Sequence, residues 1–222
     1  MGKGDAKSFT GKLFRKSYGK YRYRRKKRKT HKKIPATLIS ALKPYISANI
    51  NKAEHKYEVN CNDENSLTGA LLDNIEVMDW QCCDGWKWKI NSKRLKSIKE
   101  EPFIGADGII SINIEQNGRV DNKSILFQAK RKENIKEKEI MEQIEKMKKG
   151  LPNGNMIIVY AENGYYAQTG NDYGKNNMIS LTDFLFDVFL ACKQGVWGKT
   201  YDDVKKYCDL MYKMDIYAKK VK

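Results

Sequence analysis

Residues 104–131 carry the side chains whose types and spacing are best suited to chemistry. Two apolar runs, residues 109–114 and 125–127, flank a turn signal at residues 116–118 and predict a β-hairpin. Asp107 lies near the start of the first strand, and Gln128 and Lys130 lie on the second. Residues two apart on a strand face the same side, so these three polar side chains are expected to converge on one side of a sheet.

This combination suits a hard divalent cation. Mg²⁺ takes oxygen ligands, usually one or two carboxylates completed by water and phosphate. Asp107 offers a carboxylate, Gln128 a side-chain oxygen and Ala129 a main-chain carbonyl. Lys130 is no ligand while protonated, but it can hold an attacking water and steady the charge of a phosphate. The predicted cofactor is Mg²⁺, with Mn²⁺ as a substitute.

A second acid is predicted at the start of a helix. Asn62 or Asp63 can cap that helix, Glu64 lies in its first turn, and an apolar stripe follows at Leu67, Leu71, Ile75 and Met78. Glu64 is therefore expected at the N-terminus of a helix that packs on the core. Its carboxylate would join the metal site directly or through a water.

These residues, taken in order, resemble the PD-(D/E)xK nuclease superfamily, and the Gln-x-Lys ending resembles its Mrr-type restriction-endonuclease branch. The resemblance covers roughly residues 63–170. It implies an α/β fold with a restriction-endonuclease-like core, in which helices flank a central mixed β-sheet. It also implies catalysis by Asp107, Gln128, Lys130 and Glu64. Gln128 stands where an acid is usual, so the metal site has one negative charge fewer. Gly105-Ala106 also stands in place of a Pro.

The formal net charge of +16 is concentrated at the N-terminus. Residues 1–33 hold 15 Lys or Arg and one acid, with tyrosines interleaved. We predict a flexible arm that binds nucleic-acid phosphates, chiefly through Arg22, Arg24, Arg25, Lys26, Lys27, Arg28 and Lys29. A solubilising tail and a nuclear-localisation-like address are the alternatives. Residues 34–222 are predicted to form a single nuclease domain.

The cysteines and the apolar windows restrict the class of protein. Five cysteines include no C-x-x-C pair, and there are only two histidines, so a structural zinc site is not expected. The odd cysteine count and the lack of a signal peptide predict a cytoplasmic protein. The most apolar window, residues 181–191, is too short to span a bilayer, so no membrane partner is expected.

The remaining elements follow from periodicity. Residues 34–53 predict a helix that is kinked or restarted at Pro44, residues 57–60 an extended link, and residues 80–85 a loop. Trp86 to Ile90 alternates as a strand whose tryptophans pack in the core or stack on bases. Further predictions are a helix at residues 133–149, strands at 156–160 and 165–168, a helix at 181–189 and a last helix at 202–219. Glu101 or Glu115 is a candidate for a further metal ligand, with an exposed charge as the default for both, and Glu101 is kept as the reserve ligand.

Three functions compete. The first is a metal-dependent endonuclease that hydrolyses phosphodiester bonds; the resemblance favours DNA, double-stranded above all, with RNA as an alternative, and implies a setting in restriction or antiviral defence. The second is a non-catalytic nucleic-acid-binding protein that uses the basic arm, in which Asp107 and Lys130 form only a structural salt bridge. The third is a nuclease effector that is silent without a partner. A homodimer or a partner protein is open in each case.

Overall fold

The computed structural model describes residues 32–61, 63–95, 105–175, 177–205 and 212–221. Helix α1 (Ala36–Glu54) buries the stripe that recurs every four residues, namely Leu38, Leu42, Ile46 and Ile50. The predicted restart at Pro44 is wrong, because α1 is continuous through it, while the alternative of a kink stays a prediction. Pro44 has no N–H to donate to the Ser40 carbonyl, so this carbonyl has no partner within the helix. Both residues are exposed. Water can therefore satisfy that carbonyl while the buried stripe holds the helix.

Two helices and two hairpins lead to the candidate site. The helices are α2 (Tyr57–Asn60) and α3 (Glu64–Ile75). The first hairpin joins β1 (Val77–Cys83) to β2 (Trp86–Arg94), and the second joins β3 (Gly108–Gln116) to β4 (Arg119–Arg131). The hairpin predicted around residues 116–118 is thus confirmed, and Asn117 and Gly118 both have positive φ as such a turn requires.

The rest of the chain alternates between helices and strands. A 3₁₀ turn (Lys132–Asn134) precedes α4 (Glu137–Gly150), which is followed by β5 (Asn155–Ala161), β6 (Gly164–Thr169) and β7 (Ile179–Ser180). Helix α5 (Leu181–Asp183) continues as a π-helical segment (Phe184–Leu190). The chain then forms β8 (Val196–Trp197), α6 (Tyr201–Val204) and β9 (Tyr212–Lys220).

The described strands form one mixed sheet of nine strands in the order β1-β2-β9-β3-β4-β5-β6-β7, with β8 paired to β4. β3 and β4 are antiparallel, whereas β9 runs parallel to β3 and β5 runs parallel to β4. Helices α1, α3 and the π-helical segment cover one side of the sheet, where Phe127 and Ile158 are buried. Helix α4 covers part of the other side, where Ile109 and Leu126 are buried. The predicted α/β class with a central mixed sheet flanked by helices is confirmed.

The described residues from 33 onward belong to one unit, while the predicted boundary between arm and domain stays a prediction. Within the described part of the chain, no helix has both the length and the apolar character needed to cross a membrane.

Two local predictions near the site are wrong. Residues 57–60 are helical rather than extended, because the Asn60 N–H closes a helical turn on the Lys56 carbonyl at 3.2 Å. Residues 80–85 are mostly strand β1 and its turn rather than a loop. The pairing register of β1 with β2 shifts between Val77 and Gln81. Because of this irregularity, the sequence of the edge strand β1 does not alternate regularly between apolar and polar residues.

The predicted last helix is also wrong. Of the residues that the structure describes in this segment, Tyr201–Val204 form a short helix, whereas Tyr212–Lys220 form strand β9. Every second residue of β9 is a buried hydrophobic residue, namely Tyr212, Met214, Ile216 and Ala218. The sequence of this segment contains both this period of two and a helical spacing of apolar residues through Val204 and Met214. The segment forms a strand because β9 pairs with both β2 and β3 in the sheet.

Candidate active site

The second hairpin places Asp107 beside Gln128. Gly108 pairs with Phe127, and the Asp107 N–H donates to the Phe127 carbonyl at 2.8 Å. The antiparallel register therefore sets Asp107 opposite Gln128, one position beyond the start of β3. The Gln128 Nε2 donates to Asp107 Oδ2 at 2.7 Å. The predicted convergence of the acid and the amide is present.

The Gln128 amide nitrogen lies between two of the oxygens that were predicted to bind a metal. Besides its bond to Asp107 Oδ2, it donates to the Ala129 carbonyl at 3.3 Å. The Ala129 N–H also donates to Asp107 Oδ2, at 2.7 Å. A partially positive N–H group thus stands where a cation would contact both oxygens. Ligation by the Gln128 oxygen requires the amide to rotate and exchange its two ends.

The Asp107 carboxyl is electrostatically unusual. Burial raises its pKa to about 6, and the Glu64 charge adds to this rise. The Ala129 N–H, the Lys130 charge and the Gln128 amide oppose the rise without cancelling it. Near pH 6 the group is therefore half ionised in a place where water is scarce. A carboxylate that loses hydration in this way gains a great deal from a cation.

Lys130 is held by Glu64. The Lys130 Nζ lies 3.2 Å from Glu64 Oε2, and the Arg131 N–H donates to Glu64 Oε1, also at 3.2 Å. Both partners of the ion pair are partly buried, with 18% and 24% of their side chains exposed. The structural salt bridge considered between Asp107 and Lys130 is not the pairing adopted. In this arrangement Glu64 orients the lysine, since both of its oxygens are engaged by donors.

The start of α3 is fixed by three hydrogen bonds that lock Glu64 in place. Asp63 caps the helix by accepting from the Ser66 N–H at 2.8 Å. The Tyr212 hydroxyl of β9 donates to the Asn65 carbonyl at 2.9 Å, and the Thr68 and Tyr160 hydroxyls lie 3.0 Å apart. The sequence predicted no role at the site for Tyr212, which falls inside the wrongly predicted last helix. The sequence signal that could have placed Tyr212 in a strand is the alternation of apolar and polar residues along β9.

The Glu64–Lys130 pair opens to solvent through a cleft of about 550 Å³. Its walls come from the start of α3, the end of β4 and the start of α4, and they carry both signs of charge. The lining residues are Asp63, Glu64, Asn65, Lys130, Glu133, Asn134, Lys136 and Glu139. A phosphate group approaching Lys130 thus has an open path.

The ligand set fits a weakly bound Mg²⁺ rather than a tightly held metal. No group of three or more His, Cys, Asp or Glu suited to a metal occurs among the residues that the structure describes. Asp107 supplies one carboxylate, and the Ala129 carbonyl and the Gln128 amide supply neutral oxygens. Mg²⁺ commonly retains several waters and uses substrate phosphate as a ligand, so one carboxylate and two neutral oxygens suffice for a substrate-assisted site.

The other candidates divide into three groups. The seven arm residues, from Arg22 to Lys29, and the reserve ligand Glu101 lie outside the described residues. Glu115 lies at the far end of β3, where it pairs with Lys219 at 2.9 Å. Trp86 and Trp88 are buried in the core, which removes them as base-stacking residues and confirms the packing interpretation.

Comparisons with protein-family models, with curated proteins and with solved structures give no match for this chain. The case for a function therefore rests on the geometry of the site and on the charge of the chain.

Proposed function

We propose that this chain is a metal-dependent nuclease that hydrolyses phosphodiester bonds, with DNA as the substrate that the family resemblance favours. One observation carries the proposal: the half-buried Asp107 carboxylate contacts Gln128 and Ala129 on the strand that carries Lys130, and Lys130 pairs with a second acid, Glu64. A purely structural polar cluster has little reason to bury a carboxylate at a cost and to place a lysine and a second acid beside it.

The residues divide the chemistry as follows. Asp107 in its ionised form, the Ala129 carbonyl and the Gln128 amide, once rotated, would hold the cation. A bound Mg²⁺ would lower the pKa of a water and stabilise charge on the phosphate. The Glu64 carboxylate fixes the Lys130 ammonium. While so paired, Lys130 orients the attacking water and neutralises the charge that develops on the phosphate oxygens. The water oxygen forms the new bond to phosphorus as the bond to the leaving sugar oxygen breaks. The proton that the water loses passes to solvent, and the leaving oxygen takes up a proton from solvent.

A cleavage assay on supercoiled plasmid tests this assignment with the full chain. Wild type, Asp107→Ala and Lys130→Ala are compared in Mg²⁺, Mn²⁺ and EDTA. Asp187→Ala and Lys146→Ala serve as matched controls, because both residues are exposed on helical segments and neither lines the cleft. We expect cutting only with metal and a loss of at least about 100-fold in each site variant. The two controls should cut like wild type, and gel-shift binding should persist in all variants.

The outcomes separate the competing functions. Cutting that persists in both site variants would overturn the assignment. A second candidate, a non-catalytic nucleic-acid-binding protein, is favoured by the lack of a three-acid cluster among the described residues and by the basic arm. It predicts no cutting under any condition, together with salt-sensitive binding. An effector that awaits a partner would behave in the same way until the partner is added.

A further inference from the structure

A second basic surface lies on the outward side of β2 and β9. Trp86, Trp88 and Ile90 of β2 point into the core, so the alternating residues Lys87, Lys89 and Lys93 point outward. β9 behaves in the same way, with Lys213, Tyr217 and Lys219 outward. The register sets Lys87 opposite Lys219, Lys89 opposite Tyr217 and Lys93 opposite Lys213. We call this surface, with Trp80 of β1, the lysine face.

The charges of the lysine face are only partly compensated. Lys213 pairs with Asp215 at 2.8 Å, and Lys219 pairs with Glu115 at 2.9 Å. Within the described ranges, no acid forms an ion pair with Lys87, Lys89 or Lys93. Two lysine pairs also stand directly opposite one another across the strands, and like charges in that position destabilise a sheet. A polyanion bound to the face would remove this repulsion.

Two aromatic rings share the lysine face. The Lys89 Nζ lies 5.3 Å from the centre of the Trp80 ring and 5.7 Å from that of Tyr217, so the ammonium group stands between them. Trp80 is 48% exposed, which is unusual for so large an apolar side chain. Surfaces that bind single-stranded nucleic acid combine exposed aromatic rings, on which unpaired bases stack, with cations that contact the phosphates.

We propose that the lysine face binds single-stranded nucleic acid, with Lys87, Lys89 and Lys93 at the phosphates and bases stacked on Trp80 and Tyr217. A single strand fits better than a duplex, because a duplex keeps the faces of its bases covered. The nine residues of β2 span about 30 Å, enough for several nucleotides. An open depression of about 770 Å³, lined in part by Lys87 and Lys219, extends the face beside the hairpin turn.

The lysine face ends close to the candidate active site. Lys213 directly follows Tyr212, whose N–H donates to the Asp107 carbonyl at 3.0 Å. Gln128 and Lys130 point to the same side of the sheet as Lys213, because they alternate with the inward Phe127 and Ala129. A strand bound on the face could therefore reach the cleft. Binding itself does not require cleavage, so the two proposals can fail independently.

The test measures binding of a fluorescein-labelled 12-nucleotide single strand, and of the matching duplex, to the full chain in EDTA. The variants are a triple change of Lys87, Lys89 and Lys93 to Gln, and Trp80→Ala. The matched control changes Lys43 and Lys52 of α1, and Lys56 just after it, to Gln, which removes the same charge from this part of the chain. α1 lies on the opposite side of the sheet, where Thr37 accepts from the Trp86 indole at 3.0 Å.

We expect the lysine-face triple variant to bind the single strand at least tenfold more weakly than the α1 triple variant does. Trp80→Ala should lose about tenfold for the single strand and less than twofold for the duplex, since stacking needs unpaired bases. Urea unfolding of each variant verifies that the fold is intact. All binding is measured in EDTA, where the proposed metal-dependent cleavage cannot occur, which separates this surface from the cleavage site.

Three results would overturn the proposal. Equal losses in the two triple variants would mean that net charge alone matters. Equal losses for single strand and duplex in Trp80→Ala would remove the stacking role. A concentration-dependent dimer that Trp80→Ala dissociates, with nucleic-acid binding unchanged, would make the face an interface between two copies of the chain.

Discussion

At the scale of single residues, the Asp107 carboxylate is the most informative group. It accepts two hydrogen bonds at 2.7 Å on one oxygen, and burial still raises its pKa to about 6. Hydrogen bonding from neutral donors does not fully replace the hydration lost on burial. Ionisation of the Asp107 carboxyl therefore lowers the free energy of unfolding. The chain nevertheless has an acid at this position, close to Lys130. Such a cost at one residue is typical of a functional site.

The first prediction concerns the pH dependence of that cost. The folded pKa exceeds the unfolded value of 3.8, so the native state binds more protons between pH 3.8 and about 6, and stability falls as pH rises through this window. Asp107→Asn cannot ionise. It should be more stable than wild type by about 1–3 kcal/mol at pH 7.5 in EDTA, with the difference lost near pH 3.5. Urea unfolding at both pH values measures this.

Asp187→Asn, at an exposed position, should show no such pH-dependent gain. A lower stability of Asp107→Asn at both pH values would contradict the account of the buried charge. The same variant should lack nuclease activity, so that stability and activity change in opposite directions.

The second prediction concerns Gln128→Glu, which restores the acid that is usual in the resembled family. Without metal, a second carboxylate beside Asp107 should lower the free energy of unfolding by about 1–2 kcal/mol through repulsion and desolvation. With Mn²⁺ the variant should gain more thermal stability than wild type does, because a charged ligand replaces a neutral one.

Thermal unfolding with and without Mn²⁺ measures the difference. Gln116→Glu, at an exposed position at the end of β3, is the control for added negative charge. If Mn²⁺ stabilises both variants equally, Gln128 does not face a metal.

At the scale of elements, three segments from distant parts of the chain place the site. α3 brings Glu64, the β3–β4 hairpin brings Asp107 and Lys130, and β9 supplies the Tyr212 hydroxyl that holds the first turn of α3. β9 also separates β3 from β2 in the sheet. The position of the helical acid therefore depends on a strand near the end of the chain.

The third prediction tests this dependence through Tyr212→Phe. Loss of the hydroxyl removes one hydrogen bond, and the expected cost is about 1 kcal/mol of unfolding free energy. If Tyr212 positions Glu64 and thereby Lys130, kcat of the proposed cleavage should fall severalfold while KM changes less than twofold. Steady-state cleavage kinetics measure both constants.

Tyr166→Phe is the matched control, since its hydroxyl bonds only the nearby Asn163 carbonyl at 3.3 Å. It should leave both kinetic constants unchanged. An unchanged kcat in Tyr212→Phe would show that the first turn of α3 holds its position without this bond.

At the scale of the whole molecule, charge is distributed very unevenly. Residues 1–33 carry a net +14 of the formal +16, so the remaining chain is nearly neutral. Electrostatic attraction to a polyanion should therefore come mainly from the arm, whereas the lysine face and the cleft add local contacts. Phosphate contacts made by lysine and arginine release counterions, which makes such binding strongly dependent on salt.

The fourth prediction concerns an arm in which Arg22, Arg24, Arg25, Lys26, Lys27, Arg28 and Lys29 are all changed to Gln. At about 50 mM salt, affinity for duplex DNA should fall at least tenfold, and the plot of log affinity against log salt should become shallower. The urea midpoint should not change. Fluorescence anisotropy at several salt concentrations measures the slope, and an unchanged slope would assign the phosphate contacts to other residues.

Much of the local structure was predictable from the sequence. The β3–β4 hairpin, the capped start of α3, and strands β5 and β6 follow from turn residues, a cap and short-range periodicity, which act between near neighbours. The types of residue at the candidate site, Asp107, Gln128, Lys130 and Glu64, were identified in the same way. The concentration of positive charge in the arm is likewise a property of the sequence alone.

Tertiary structure decided the features that depend on distant partners. β1 lacks a regular pattern and becomes a strand because β2 offers a hydrogen-bonding edge. The segment at residues 212–220 becomes β9 because its backbone forms hydrogen bonds with both β2 and β3 and its apolar residues, spaced by two, are buried on one side of the sheet. The pairing of Lys130 with Glu64, 66 residues away, the orientation of the Gln128 amide and the raised pKa of Asp107 arise only when the elements pack. Burial and long-range contacts fix these properties, and no local pattern encodes them.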